Sequence, residues 1–218
     1  MTDKSAQGDG FLTTPPFRIS YPALFKPTSM DGNKPKFQLT MVFPKGADLK
    51  AMNAAAVKAA KEKWGSVPDK LKKPFLDGDE EENEQLHGTI FIRATTKYKP
   101  GVITASREPV LEADEHLVKA GYWARAIVNA WGWTYGKKKG VSFGIQHVQL
   151  LPLSHVVEYY KDNDKVTYDI VEELFAGGPG KAEEAFADDV VASEDDPTEY
   201  MSDDDMADES EDTDDFMS

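Results

Sequence analysis

The chain has 218 residues, no cysteine and a formal net charge of −14. Without cysteine there is no disulfide framework, no thiolate metal site and no thiol nucleophile. No apolar run approaches a membrane span and the polar stretch Met1 to Gly10 has no signal-peptide pattern, so an intracellular soluble protein with no membrane partner is expected.

Residues 1–15 are polar and expected to be disordered. Phe17, Ile19 and Tyr21 then alternate with Arg18 and Ser20, the pattern of a half-buried strand, and Pro22 predicts a bend or a sheet edge. A turn at Met30-Asp31-Gly32-Asn33 leads to a second strand, with Phe37, Leu39, Met41 and Phe43 inward and Lys36, Gln38 and Thr40 outward. After Pro44 the period changes. Asp48 is placed to cap a helix from Leu49 to Trp64 that Gly65 ends, with Leu49, Met52, Ala56, Ala60 and Lys63 on one face. Ser66 to Gly88 reads as a long loop. Its acidic part, Asp77 to Glu84, has Glu82 where a calcium loop needs glycine, so it is expected to be a solvated acidic loop.

Thr89 to Lys99 is a third strand, with Ile90, Ile92 and Ala94 inward and Phe91, Arg93, Thr95 and Lys97 outward. Glu112 to Lys119 has a short helical pattern. Gly121 to Gly140 then holds three of the four tryptophans. With period 2, Trp123, Arg125, Ile127, Asn129, Trp131 and Trp133 share one side of a strand, and Tyr122, Ala124, Ala126, Val128 and Ala130 the other. The small apolar side suits a narrow barrel interior. The other side sets flat rings beside a cation, the chemistry that stacks bases and neutralises phosphates. Lys137, Lys138 and Lys139 follow where a hairpin turn belongs, and Val141, Phe143 and Ile145 face inward on a fifth strand with a bulge expected at Gln146. Ser154 to Lys165 reads as a short added strand and Tyr168 to Ala176 as a last helix. Residues 177–180 are a glycine-rich hinge. From Glu183 to Ser218 there are 17 acidic residues and no basic one, leaving 22 acids against 25 Lys and Arg in the rest of the chain.

Five strands in two groups, with a helix between them, predict an all-β fold with an added helix: a small closed antiparallel barrel of the OB type over residues 16–176, followed by a disordered acidic tail. The run G-Y-W-A-R-A-I-V-N-A-W followed by K-K-K-G-V-S-F-G-I-Q-H-V-Q resembles the hallmark region of a phage-encoded family of single-stranded-DNA-binding proteins with an OB fold. R-I-S-Y-P-A-L-F, K-P-F-L-D-G-D and T-K-Y-K-P-G-V-I look like the family's other landmarks. The resemblance implies sequence-independent binding of single-stranded DNA in phage replication or recombination, in the cytoplasm of an infected bacterial host. Read with the basic and aromatic rows, it gives a site of Phe91, Arg93, Lys97, Lys99, Trp123, Arg125, Trp131, Trp133, Tyr135, Lys137, Lys138 and Lys139. The tail, with Asp214, Asp215 and Phe216 as its anchor, would compete for the groove and recruit replication proteins. A monomer or a homodimer fits this reading.

Other chemistry finds less support. Gly140-Val141-Ser142-Phe143-Gly144 matches the G-x-S-x-G nucleophile elbow, but the elbow needs a strand before it and a helix after it, and here a lysine turn and a strand stand in those places. The histidines lack close metal-ligand spacing and no phosphate-binding glycine loop is present, so neither an enzyme nor a cofactor is expected. A protein–protein adaptor with an acidic tail and no nucleic acid is the alternative. It has no need of cations interleaved with the aromatic stripe.

Overall fold

The computed structural model describes residues 10–29, 34–82, 86–163 and 165–166. The expected turn at residues 30–33, the helix at 168–176, the hinge and the tail with Asp214, Asp215 and Phe216 lie outside them. The described elements are β1 (Phe11–Thr13), β2 (Phe17–Thr28), β3 (Lys36–Pro44), α1 (Lys50–Trp64), β4 (Leu71–Lys72), β5 (Leu76–Asp77), β6 (Thr89–Thr96), β7 (Gly101–Ile103), β8 (Trp123–Tyr135), β9 (Lys138–Leu151) and α2 (Leu153–Tyr160).

Strands β2, β3, β6, β9 and β8 pair in that order, and β8 returns to β2, so the sheet closes into a five-stranded barrel. Closure removes the open edges that a flat sheet would expose. The junctions are antiparallel except where β6 meets β9 in parallel through Ala94 and Phe143. Alternate residues fill the interior: Phe17 and Ile19, Leu39, Met41 and Phe43, Ile92 and Ala94, Val141, Phe143 and Ile145. Their rings need room. The alternating Ala124, Ala126 and Val128 of β8 supply it, and Phe17 meets Phe43 edge-on with centroids 5.6 Å apart.

Helix α1 lays Met52, Ala56, Ala59 and Ala60 on the barrel, with Ala59 in the place expected for Lys63, which is exposed. The Asp48 carboxylate accepts the Lys50 N–H at 3.0 Å, and Gly65, at φ +77°, ends the helix by donating its N–H to the Lys61 carbonyl.

Three strand details depart from a regular ladder. Tyr21 has φ +43° and the β2–β3 register shifts between Ser20 and Ala23, which is the bend Pro22 predicted. The reversal corrects the inward assignment of Tyr21: it packs outside the barrel against Val42, Leu86, Phe91 and Ala120. Ile127 pairs with His147 while Val128 pairs with Ile145, so Gln146 is the bulged residue, as expected. The segment 1–15 is not disordered throughout, because Phe11–Thr13 pair with β8 as β1.

The region after β9 also differs from expectation. Leu153–Tyr160 is a helix and not an added strand, because Val156 and Tyr160 sit four residues apart and bury on Trp123 together with Val166. The Tyr160 hydroxyl donates to the Pro16 carbonyl at 2.7 Å, tying α2 to the start of β2. The acidic loop is likewise more than solvated charge. Lys45 donates to both Asp77 and Asp79, and Asp79 also accepts the Gly88 N–H at 2.6 Å.

Candidate nucleic-acid interface

Pairing register decides which outward side chains become neighbours. Thr40 of β3 opposes Arg93 of β6. The Ala94–Phe143 bridge then brings the outward residues beside Ala94, namely Arg93 and Thr95, next to those beside Phe143, namely Ser142 and Gly144. Ser142 opposes Trp131 of β8, Gly144 opposes Asn129, and Phe11 of β1 lies beside Asn129. One outward row therefore crosses β3, β6, β9, β8 and β1. At its middle β9 contributes only Gly140, Ser142 and Gly144, whereas its flanks carry Arg93 and Trp131. Small residues of β9 thus stand between larger ones of β6 and β8 along this row.

Two side chains of β8 lie over those small residues. A Cβ at Gly140 would fall inside the Trp133 indole, whose Nε1 donates to the Ser142 hydroxyl at 3.1 Å. A Cβ at Gly144 would lie 2.7 Å from Asn129 Oδ1, which accepts from Gln146 Nε2 at 3.1 Å. The G-x-S-x-G run is thus a row of small residues on a strand. No helix follows Gly144 to make an elbow of it.

The expected site residues separate into two groups. Trp123, Trp133 and Phe91 are on the outward side as read from the sequence, yet they are 1%, 1% and 2% exposed. Each is packed against residues outside its own strand. Helix α2 covers Trp123. Phe91 is packed with Leu76 of β5, Leu86, Ala120 and Tyr21, while Trp133 lies on Gly140. These three rings offer no face to a ligand, which corrects their assignment as stacking residues.

The second group remains at the surface. Trp131 and Arg93 are half-buried, Arg93 standing 5.7 Å above the Phe91 ring, and Arg125, Lys97, Tyr135, Lys137 and Lys138 are exposed. Arg125 Nε donates to Gln149 Oε1, its partner on β9, at 2.9 Å, which ties the guanidinium across the strand pair. The lysine triplet does not act as one cluster. Gly136, at φ +52°, and Lys137 form the hairpin turn, while Lys138 pairs with Tyr135 and Lys139 with Thr134, so successive lysines point to opposite sides. Lys138 joins the outward row. Lys139 turns to the other side and stands 5.7 Å above Trp64. Lys99 is engaged by Glu112 at 2.7 Å.

Further groups were not singled out from the sequence. Tyr98, between Lys97 and Lys99, is 81% exposed; its place between two cations ahead of a Pro-Gly turn was the available signal. Phe11 is 40% exposed, and nothing local marks it, because its position depends on pairing with residues more than a hundred places away. Arg18 of β2, opposite Val42 and Trp123, is buried, and loss of hydration lowers its guanidinium to about 10, so it stays protonated at neutral pH. Among the described residues no three His, Asp or Glu are disposed to hold a metal ion, and no helix is long and apolar enough to cross a membrane.

Residues 12–154 match the family described as Enterobacter phage Enc34, ssDNA-binding protein. The chain belongs to that family. Protein p50 of Acyrthosiphon pisum secondary endosymbiont phage 1 is 27% identical over 190 residues, covering 81% of this chain and 92% of that one. Among solved structures, the single-stranded DNA-binding protein from bacteriophage Enc34 is similar at TM-score 0.57 and 21% identity, over 65% of this chain and 80% of that chain. The same protein in complex with ssDNA is similar at TM-score 0.58 and 22% identity, over 65% and 86%. At these identities the likeness establishes the fold, an OB-like barrel. The family match begins within β1 and stops at the start of α2, so most of the helix that covers Trp123 lies beyond it.

Proposed function

We propose that this protein binds single-stranded DNA with little sequence preference, laying the strand across the outward row from β6 over β9 to β8 and β1. The carrying observation is family membership joined to a row in which open ring faces and cations share one side of the barrel. In this reading bases stack on Trp131, Tyr135, Phe11 and Tyr98, and phosphates meet Arg93, Lys97, Arg125, Lys137 and Lys138. Stacking contributes about 1–3 kcal/mol per base and is indifferent to base identity, while a duplex hides the faces it needs. The outer face of the second and third barrel strands and the loop between the fourth and fifth carry oligonucleotides in OB barrels. In this chain those are β3, β6 and the Gly136–Lys137 turn. The protein acts by binding, in phage replication or recombination within the host cell.

The acidic tail competes with DNA for the same cations in this account. Seventeen carboxylates from Glu183 onward, tethered to the barrel, meet it at high effective concentration. Once displaced, the tail with Asp214, Asp215 and Phe216 is available to replication proteins. Oligo-dT should quench tryptophan fluorescence, and duplex of the same length should compete poorly. Equal affinity for duplex and single strand would overturn the stacking account.

A further inference from the structure

Cations gather at the end of the barrel where β6 leaves the row. Thr28 pairs with Lys36 and Phe37 with Thr96, so Lys26, Lys36, Lys97 and Lys99 come to the same end of β2, β3 and β6. A 3-10 turn, Glu112–Leu117, lies against this end. Glu112 accepts from Lys99 Nζ at 2.7 Å and Glu115 from Lys26 Nζ at 3.0 Å. Lys99 also stands 6.0 Å from the centre of the Phe25 ring, and Lys26 is the next residue along β2. The four charges form one group. The Glu112 carboxyl is held low by Lys99 and also by Lys26, and the Lys26 ammonium is held high by Glu115 and also by Glu112.

We propose that the Glu112–Leu117 turn is a carboxylate latch on the basic end of the DNA path: Glu112 and Glu115 occupy Lys99 and Lys26 as two phosphates would, and an arriving single strand takes both lysines from them. The side chains of both pairs are between 46% and 65% exposed. Ion pairs this open to water contribute little to stability and are readily exchanged. A polyanion, which releases condensed counterions on binding, is the kind of competitor able to displace them. The latch rests on the single-strand reading above and adds Lys26 and Lys99 to the path as cations that are reached only by displacing the carboxylates.

The test uses the full chain titrated with oligo-dT across a range of salt. Glu112→Gln with Glu115→Gln should tighten binding roughly three- to tenfold at low salt, the size of two exposed ion pairs. The salt dependence should steepen by up to about 1.4, at about 0.7 for each of two phosphate contacts. Glu62→Gln with Glu158→Gln removes equal charge from pairs on α1 and α2 and should change affinity less than twofold, roughly the scale of screened long-range charge. Adding Lys26→Gln and Lys99→Gln to the first pair should erase its gain. In the unmodified chain, bound oligo-dT should speed amide exchange across residues 113–118. An unchanged affinity, a gain matched by the control pair, a gain that survives loss of the lysines, or slower exchange in the turn would each overturn the latch. Failure of the unmodified chain to bind oligo-dT would instead overturn the single-strand reading itself.

Discussion

Trp131 and Trp133 stand on the same side of β8, two residues apart, and differ in what surrounds them. Trp133 is sealed over Gly140 and bonded to Ser142, so Trp133→Ala should cost about 3–5 kcal/mol and lower the melting temperature before DNA is considered. Trp131→Ala should leave the melting temperature near its starting value and weaken oligo-dT binding by about 1–3 kcal/mol. Thermal melts beside titrations distinguish the two, and a reversed result would put Trp131 in the packed layer. Gly140→Ala should also destabilise, because its methyl group must displace the indole. Alternation in the sequence identified the outward row correctly on β8. It could not separate open rings from covered ones, because alternation within one strand does not show that α2 packs on Trp123 or that Leu76, Leu86, Ala120 and Tyr21 pack on Phe91. The small residues of β9 were visible as G-x-S-x-G, but their meaning depended on learning that Trp133 and Asn129 lie opposite them.

At the scale of elements, the barrel strands were legible because their interiors alternate over many residues, whereas α2 was not. Leu153–Tyr160 is short and polar in part, and its buried pair Val156 and Tyr160 gains meaning only from Trp123, which lies more than thirty positions earlier. Tyr160→Phe should cost about 1–3 kcal/mol, since it leaves the buried Pro16 carbonyl without its donor. A melting temperature equal to that of the unmodified chain would show that water replaces the hydroxyl. The connection before β6 gives a pH prediction. The Lys45 ammonium and the Gly88 N–H hold the Asp79 carboxyl below its ordinary 3.8. A depressed carboxylate stabilises the fold fully above its unfolded value, and that stabilisation is lost as pH falls through the lower folded value. Asp79→Asn should therefore melt lower than the unmodified chain at neutral pH, with the gap narrowing as pH drops from about 5 toward about 2. A gap that is constant with pH would remove the ion pair from the account.

For the whole molecule, net charge alone misleads: the −14 belongs to the tail, and the part before Glu183 has 22 acids against 25 basic residues. Deleting Glu183 to Ser218 should tighten single-strand binding at low salt, with the advantage fading as the Debye length shrinks to about 10 Å at 0.1 M. Equal affinity of the two chains at low salt would exclude intramolecular competition. The central claim is that the outward row from β6 to β1 stacks bases on rings that remain open, with Trp131 at its middle. It is tested most directly by titrating the full chain and Trp131→Ala with oligo-dT while following tryptophan fluorescence. The account predicts partial quenching in the unmodified chain, since Trp123 and Trp133 are shielded, and loss of most of that quenching, together with about 1–3 kcal/mol of affinity, in the variant. Undiminished quenching and unchanged affinity in Trp131→Ala would contradict it.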